Sequence, residues 1–171
     1  GVQPAAGGLL ESGVQYVIHA FGPIWTDYPI AEETFGKVVP RIKRTVRRSL
    51  SAAARVGVSS VGMPAVSGGI FTHWSTGSDI KQREQRAARR AVVEAVLAWI
   101  DKHGDTSGIA RVELCDLPRK QLGHVDMFVE EFDAVMALRH QTQDAAQKTL
   151  ADAAPAADHG PQPPGANAPS G

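Results

Sequence analysis

The stretch Ser67-Gly68-Gly69-Ile70-Phe71 has the clearest chemical capacity in this chain. It closes a short apolar run, Ser59 to Val66, and precedes a helical pattern. It therefore reads as a strand passing through a glycine turn toward a helix. Adjacent glycines reach φ > 0 without steric cost and let the main chain approach a ligand closely. Successive N–H groups in such a turn form a concavity that attracts phosphate oxygens. A following helix adds unpaired N–H groups and the positive end of its dipole. The same glycines also serve plain strand-to-helix packing, and the turn alone does not separate the two uses.

Other residues with chemistry are scattered. His73, beside the turn, is expected to be exposed, either contacting a phosphate or acting as a base, or else serving as an ordinary loop histidine. His19 lies inside an apolar run and reads as a hydrogen-bonded structural histidine. Trp74 either shields the turn or packs under the next helix, and packing is the preferred reading. Cys115 reads as a small buried hydrophobe and not a nucleophile. No His, Cys, Asp or Glu set has metal-ligand spacing, no cofactor is implied, and no Ser-His-Asp arrangement follows from residue order. No catalytic residue is assigned.

Two arginine groups stand out: Arg41, Lys43, Arg44, Arg47 and Arg48, then Arg83, Arg86, Arg89 and Arg90. They read as two solvated helix faces or, more sharply, as a basic surface for a polyanion such as RNA. The net formal charge of zero weighs against strong nucleic-acid affinity.

Three strand–helix pairs are expected to position these groups. Gln15 to Phe21 is β-branched and aromatic, is stopped by Gly22-Pro23, and is predicted to be a strand buried on both faces. A helix lies between Glu32 and Arg55, its apolar stripe running through Ile42, Val46, Leu50, Ala53 and Ala54. Pro40 is expected in its first turn or at a break, and Gly57 ends it. Val58 to Val66 is the second strand. A second helix follows, with Thr76 and Asp79 matching a capping box, and Gly104 as its stop. Ile109 to Leu117 is the third strand, closed by Pro118, and Val125 to Met136 form a last amphipathic helix. Gly1 to Gly13 reads as an irregular lead-in.

From about Gln141 the sequence turns to Ala, Asp, Gln, Pro and Gly, a composition that cannot bury enough surface to order itself. The expected division is a domain over 1–138 and a disordered tail over 139–171. Alternating strands and helices argue for a mainly parallel sheet covered on both faces, with ligands beyond the C-terminal strand ends. The 43% hydrophobic content suits one core, and the single cysteine excludes an internal disulfide framework. No apolar run is long enough to span a bilayer, so no membrane partner is expected.

Two motifs in order resemble the macro domain. Val17-Ile18-His19-Ala20-Phe21-Gly22-Pro23 resembles the family's Val-Ile-His-x-x-Gly-Pro strand. Pro64-Ala65-Val66-Ser67-Gly68-Gly69-Ile70-Phe71 resembles its Pro-Ala-(Ile/Val)-Ser-(Thr/Ser)-Gly-(Ile/Val)-(Phe/Tyr) loop. The resemblance covers about residues 1 to 138. It implies a three-layer α/β/α sandwich with a mainly parallel sheet, and binding of ADP-ribose or ADP-ribosylated proteins; with it, the polyanion for the arginine-rich helices is RNA or poly(ADP-ribose). By the resemblance, Ser67 to Phe71 wrap the diphosphate and distal ribose, with Gly69, Ile70 and Phe71 offering main-chain N–H groups and Phe71 lying over the ribose. An intracellular location, cytoplasmic or nuclear, is expected.

The chain also departs from the family. Nothing before Tyr16 matches its first strand, its adenine-recognising Asp or its first Asn- and Gly-rich loop, so the domain is expected to be N-terminally incomplete. Hydrolysis of ADP-ribosyl bonds, or of ADP-ribose 1''-phosphate, is the alternative activity, expected only if that half is supplied. An RNA or protein interaction fragment without small-molecule binding is a second alternative. Cys115 stands at the adenine side, where several members place an aromatic. Thr72-His73-Trp74 follows the loop where the family continues with Gly and then Pro. Loss of a strand exposes a sheet edge, so the chain is expected to be marginal, or covered there by Gly1 to Leu10 or a partner.

Overall fold

Val38, Ile42, Val46 and Leu50 recur every four residues, and that stripe is the seam of the fold. A computed structural model describes residues 1–73, 78–116 and 124–153. In chain order the elements are β1 (Val2–Pro4), α1 (Gly8–Glu11), β2 (Tyr16–Ile18), a 3₁₀ turn (Trp25–Asp27), α2 (Glu32–Arg55), β3 (Ser60–Pro64), α3 (Ser78–Ser107), β4 (Arg111–Cys115) and α4 (His124–Ala153). The chain divides into two compact units, Gly1–Met136 and Ala137–Gly171, and α4 runs through the boundary.

In the first unit the α2 stripe is fully buried against α3. The facing residues Ala88, Ala91, Val92, Ala95 and Val96 are small or β-branched, which lets two helices approach closely. Trp25, Met63, Trp99 and Phe128 complete the core, and Trp99 Nε1 donates to Ser51 Oγ at 3.2 Å. Gly57, at φ 73°, ends α2 as its sequence position implied. Pro40 sits in the interior of α2 instead of at its start. The residue four before it, whose carbonyl the ring meets, is Gly36, which can adjust its backbone most easily. Gly104 does not stop α3; the helix continues to Ser107, and Gly108 at φ 73° turns the chain out.

Among the described residues the strands form two separate two-stranded sheets, one antiparallel and one parallel, where one mainly parallel sheet was expected. β1 and β2 pair antiparallel, Val2 opposite Ile18 and Pro4 opposite Tyr16. A short connection brings β2 back beside β1, the geometry of an antiparallel pair. β3 and β4 pair parallel, Ser60 opposite Arg111 through Pro64 opposite Cys115. Their connection is the crossover helix α3, as a parallel pair requires. The lead-in is therefore structured: it covers one edge of β2, and the amino terminus donates to the His19 carbonyl at 3.1 Å. Among the described elements α2 is the helix that packs against β2, and only thinly, so β2 is not buried on both faces. Tyr16 is exposed, Val17 and Ile18 are half-buried, and Phe21 is 91% exposed.

In the second unit the described residues continue α4 to Ala153. The irregular tail expected from Gln141 does not begin there. No Gly or Pro occurs between Arg139 and Ala153, and Ala, Gln, Lys, Arg and Leu are good helix formers. Thr142 and Thr149 return their hydroxyls to carbonyls four residues back, at 2.9 Å each. Trp74, Thr76, Pro118 and the prolines from Pro155 onward lie outside the described residues.

Candidate functional site

The two sequence motifs meet in space. Gly22, closing the first, lies so close to the second that an added Cβ would fall 2.2 Å from Ser67 Oγ and 2.6 Å from Val66 Cγ1. Trp25, three residues on and fully buried, fastens the loop at both ends. Its indole Nε1 donates to the Ser67 carbonyl at 3.0 Å, and its main-chain N–H donates to the Phe71 carbonyl at 2.9 Å.

Within the loop, Gly68 N–H donates to the Ala65 carbonyl at 3.0 Å. Thr72 donates to the Gly69 carbonyl from its N–H at 3.3 Å and from Oγ1 at 2.9 Å. The N–H groups of Gly69 and Phe71 have no acceptor among the described residues. Gly69, Ile70 and Phe71 are exposed, whereas Ser67 and Gly68 are buried. The loop therefore turns its carbonyls into the protein and keeps donors on its outer side.

Ser67 departs twice from ordinary chemistry. It takes φ 60°, a left-handed conformation that costs a residue with a Cβ about 1–2 kcal/mol. Its Oγ is buried and has no hydrogen-bond partner among the described residues. An unmade bond of that kind costs about 1–3 kcal/mol. Local strain and an unsatisfied buried hydroxyl together point to function at this position. A cavity of about 990 Å³ opens beside the loop, with β2 on one wall, β3 on another, and Gly22, Ser67, Gly69, Ile70 and Phe71 contributing to its lining. Among the described residues each of these two strands has a sheet partner on one edge only.

The remaining candidates are placed differently from expectation. His73 is buried, not exposed: Nδ1 lies 2.6 Å from Glu84 Oε1, and its main-chain N–H donates to Glu84 Oε2 at 2.8 Å. Glu84, on the first turns of α3, claims both groups, which holds the ring inside the protein. The His19 side chain is exposed, because it follows the short β2 and only its backbone is tied, to Gly1. Cys115 is exposed and not a buried hydrophobe. β4 alternates, sending Val112 and Leu114 inward and Arg111, Glu113 and Cys115 outward. Its Sγ lies 3.7 Å from where a Gly62 Cβ would be, and it is not part of the cavity lining.

The arginine groups also separate. On α3, Arg83 pairs with Glu32 at 2.6 Å, Arg86 with Glu130 at 2.6 Å, and Arg90 with Glu131 at 3.2 Å. The hydrogen bond to Glu130 holds the Arg86 guanidinium above its ordinary pKa. Arg89 is not on a solvated face; it is 1% exposed and paired with Asp116 at 2.5 Å. These carboxylates occupy the basic face expected on α3. On α2, Arg44, Arg47 and Arg48 remain exposed.

Two contributors were not singled out from the sequence, Trp25 and the carboxylate Asp116, and a third, Arg89, was placed on a basic helix face and not beneath the loop. Trp25 sits two residues after the Gly-Pro that ends the first motif, a signal that could have found it. Arg89 shares helical spacing with Gln85, Val92 and Val96, so it falls on the buried stripe despite its charge.

The family model of the Macro domain matches residues 4–75, from the end of β1 through the Gly-rich loop. Both motifs that carry the resemblance lie inside that match, so residues 4–75 are a macro-type stretch. Macro domains in general bind ADP-ribose or ADP-ribosylated targets. No curated protein matches the chain. No helix among the described residues is long and apolar enough to cross a membrane.

Proposed function

We propose that this chain binds ADP-ribose, free or attached to protein, through the loop Ser67 to Phe71. The diphosphate accepts hydrogen bonds from the main-chain N–H groups of Gly69 and Phe71, with Ile70 between them, and the distal ribose rests against the exposed Phe71 ring. The observation that carries this reading is Ser67, held at φ 60° with a buried hydroxyl that has no partner among the described residues. Rotation about the Ser67 Cα–Cβ bond would turn that hydroxyl out of its buried position, and a ligand oxygen in the adjoining cavity would then supply the partner. The outward donors of the loop and the macro-domain match over residues 4–75 support the same reading.

Binding is favoured over turnover by the state of the nearby acid–base groups. His73 is engaged with Glu84, and Asp116 with Arg89, so what the loop itself offers a ligand is main-chain donors. The test is calorimetry with ADP-ribose on the whole chain and on Ser67→Ala. The alanine variant should bind about tenfold more weakly, the equivalent of about 1.4 kcal/mol. Its melting temperature should be unchanged or raised, since the lost hydroxyl had no bond to lose. Absence of any binding heat for the unmodified chain at millimolar ADP-ribose would rule the reading out.

A further inference from the structure

Arg89 is a guanidinium taken almost wholly out of water, and its hydrogen bonds converge on three segments that are distant in sequence. Nη2 and Nε donate to Asp116 Oδ2 at 2.5 and 3.1 Å, at the end of β4. Nε also donates to the His124 carbonyl at 3.2 Å, at the start of α4. Nη1 donates to the Gln85 carbonyl at 3.0 Å and to the Gly68 carbonyl at 3.3 Å. The guanidinium carbon lies 5.6 Å from the Phe128 ring centroid. A side chain at Gly68 would come within 3.3 Å of Nη1 and 2.9 Å of Ala65 Cβ, so this approach requires glycine.

The consequence follows from peptide planarity. In a trans peptide the carbonyl of one residue and the N–H of the next point in opposite directions. Drawing the Gly68 carbonyl inward therefore aims the Gly69 N–H outward. We propose that Arg89, oriented by Asp116, is the positioning residue of the Gly-rich loop: it aims the Gly69 N–H at a bound diphosphate. The proposal rests on the binding reading above for its ligand, but its geometric part concerns the free protein. Arg89 is suited to the task because its planar fork engages a carboxylate and a carbonyl at once, which a lysine ammonium on a flexible stem cannot reproduce.

The experiment compares the whole chain with Arg89→Lys by amide-resolved NMR, without ligand and then with ADP-ribose, and with adenosine as a probe lacking the diphosphate. In the free Arg89→Lys chain the Gly69 resonance should move while resonances of β1 remain in place. ADP-ribose affinity should fall at least tenfold, with adenosine affinity unchanged. Because lysine could leave Asp116 poorly paired and the chain unfolded, the charge-balanced double variant Arg89→Gln with Asp116→Asn is measured in parallel, with the same expected result. If the unmodified chain binds ADP-ribose and either folded variant binds it equally with Gly69 unmoved, the positioning role is overturned and the binding reading survives. If the unmodified chain binds none, the binding reading falls. The free-protein shift of Gly69 then decides the role of Arg89: movement supports it, and no movement overturns it.

Discussion

Gly22→Ala is expected to abolish ADP-ribose binding and to lower stability by about 1–3 kcal/mol, the usual penalty for overpacking. The methyl group would sit 2.2 Å from Ser67 Oγ and 2.6 Å from Val66 Cγ1, distances no real contact tolerates. Something must shift, and Ser67 is the neighbour with least freedom, since its carbonyl is bound by Trp25 and its backbone is already left-handed. The strain therefore passes into the ligand loop. Gly69→Ala is the matched control for the fold, because a Cβ there meets nothing within 4 Å. Denaturant titration should separate them: Gly69→Ala unfolds with the unmodified chain, Gly22→Ala earlier. Equal midpoints for all three chains would contradict the packing described.

Trp25 carries the second large effect. Trp25→Ala should cost about 3–5 kcal/mol, typical of deleting a buried aromatic. Domain stabilities are only about 5–15 kcal/mol, so a loss of that size removes a large share of the total and should move the denaturant midpoint far below that of the unmodified chain. Trp25→Phe isolates the hydrogen bond from the packing. It keeps an aromatic ring against Phe35, whose centroid is 5.2 Å away, and removes the donor to the Ser67 carbonyl. The stranded carbonyl should cost about 1–3 kcal/mol. ADP-ribose binding should weaken with it, measured by calorimetry on the folded variant. Affinity matching the unmodified chain would show that the indole packs beneath the loop without shaping it.

Much of this arrangement was legible in the residues, and the parts that were not share a cause. The α2 stripe and the β3-to-loop transition follow from local periodicity, and Gly57 from its place after that stripe. Strand pairing does not follow from such signals. The three residues of β1 carry no periodicity, and only their pairing with Tyr16–Ile18 makes them a strand. Buried charge is equally opaque. Arg89 and His73 have the residue types of a solvated surface, and partners 27 and 11 residues away take them inside. Cys115 erred the other way: alternation along β4 was readable, but the phase of that alternation depends on which face meets the core. The Gly-rich loop was recognised from its residue types. The strain at Ser67 and its unpaired hydroxyl belong to backbone geometry, and no residue pattern announces them.

The central claim is that the outward amides of the Ser67–Phe71 loop receive a diphosphate. The most direct measurement is a two-dimensional amide NMR titration of the whole chain with ADP-ribose, with inorganic pyrophosphate alongside. The account predicts saturable shifts largest at Gly69 and Phe71, produced by both ligands, with Phe71 side-chain signals moving for ADP-ribose alone. Saturable shifts confined to residues away from the loop, or no shifts at millimolar ligand, would contradict it.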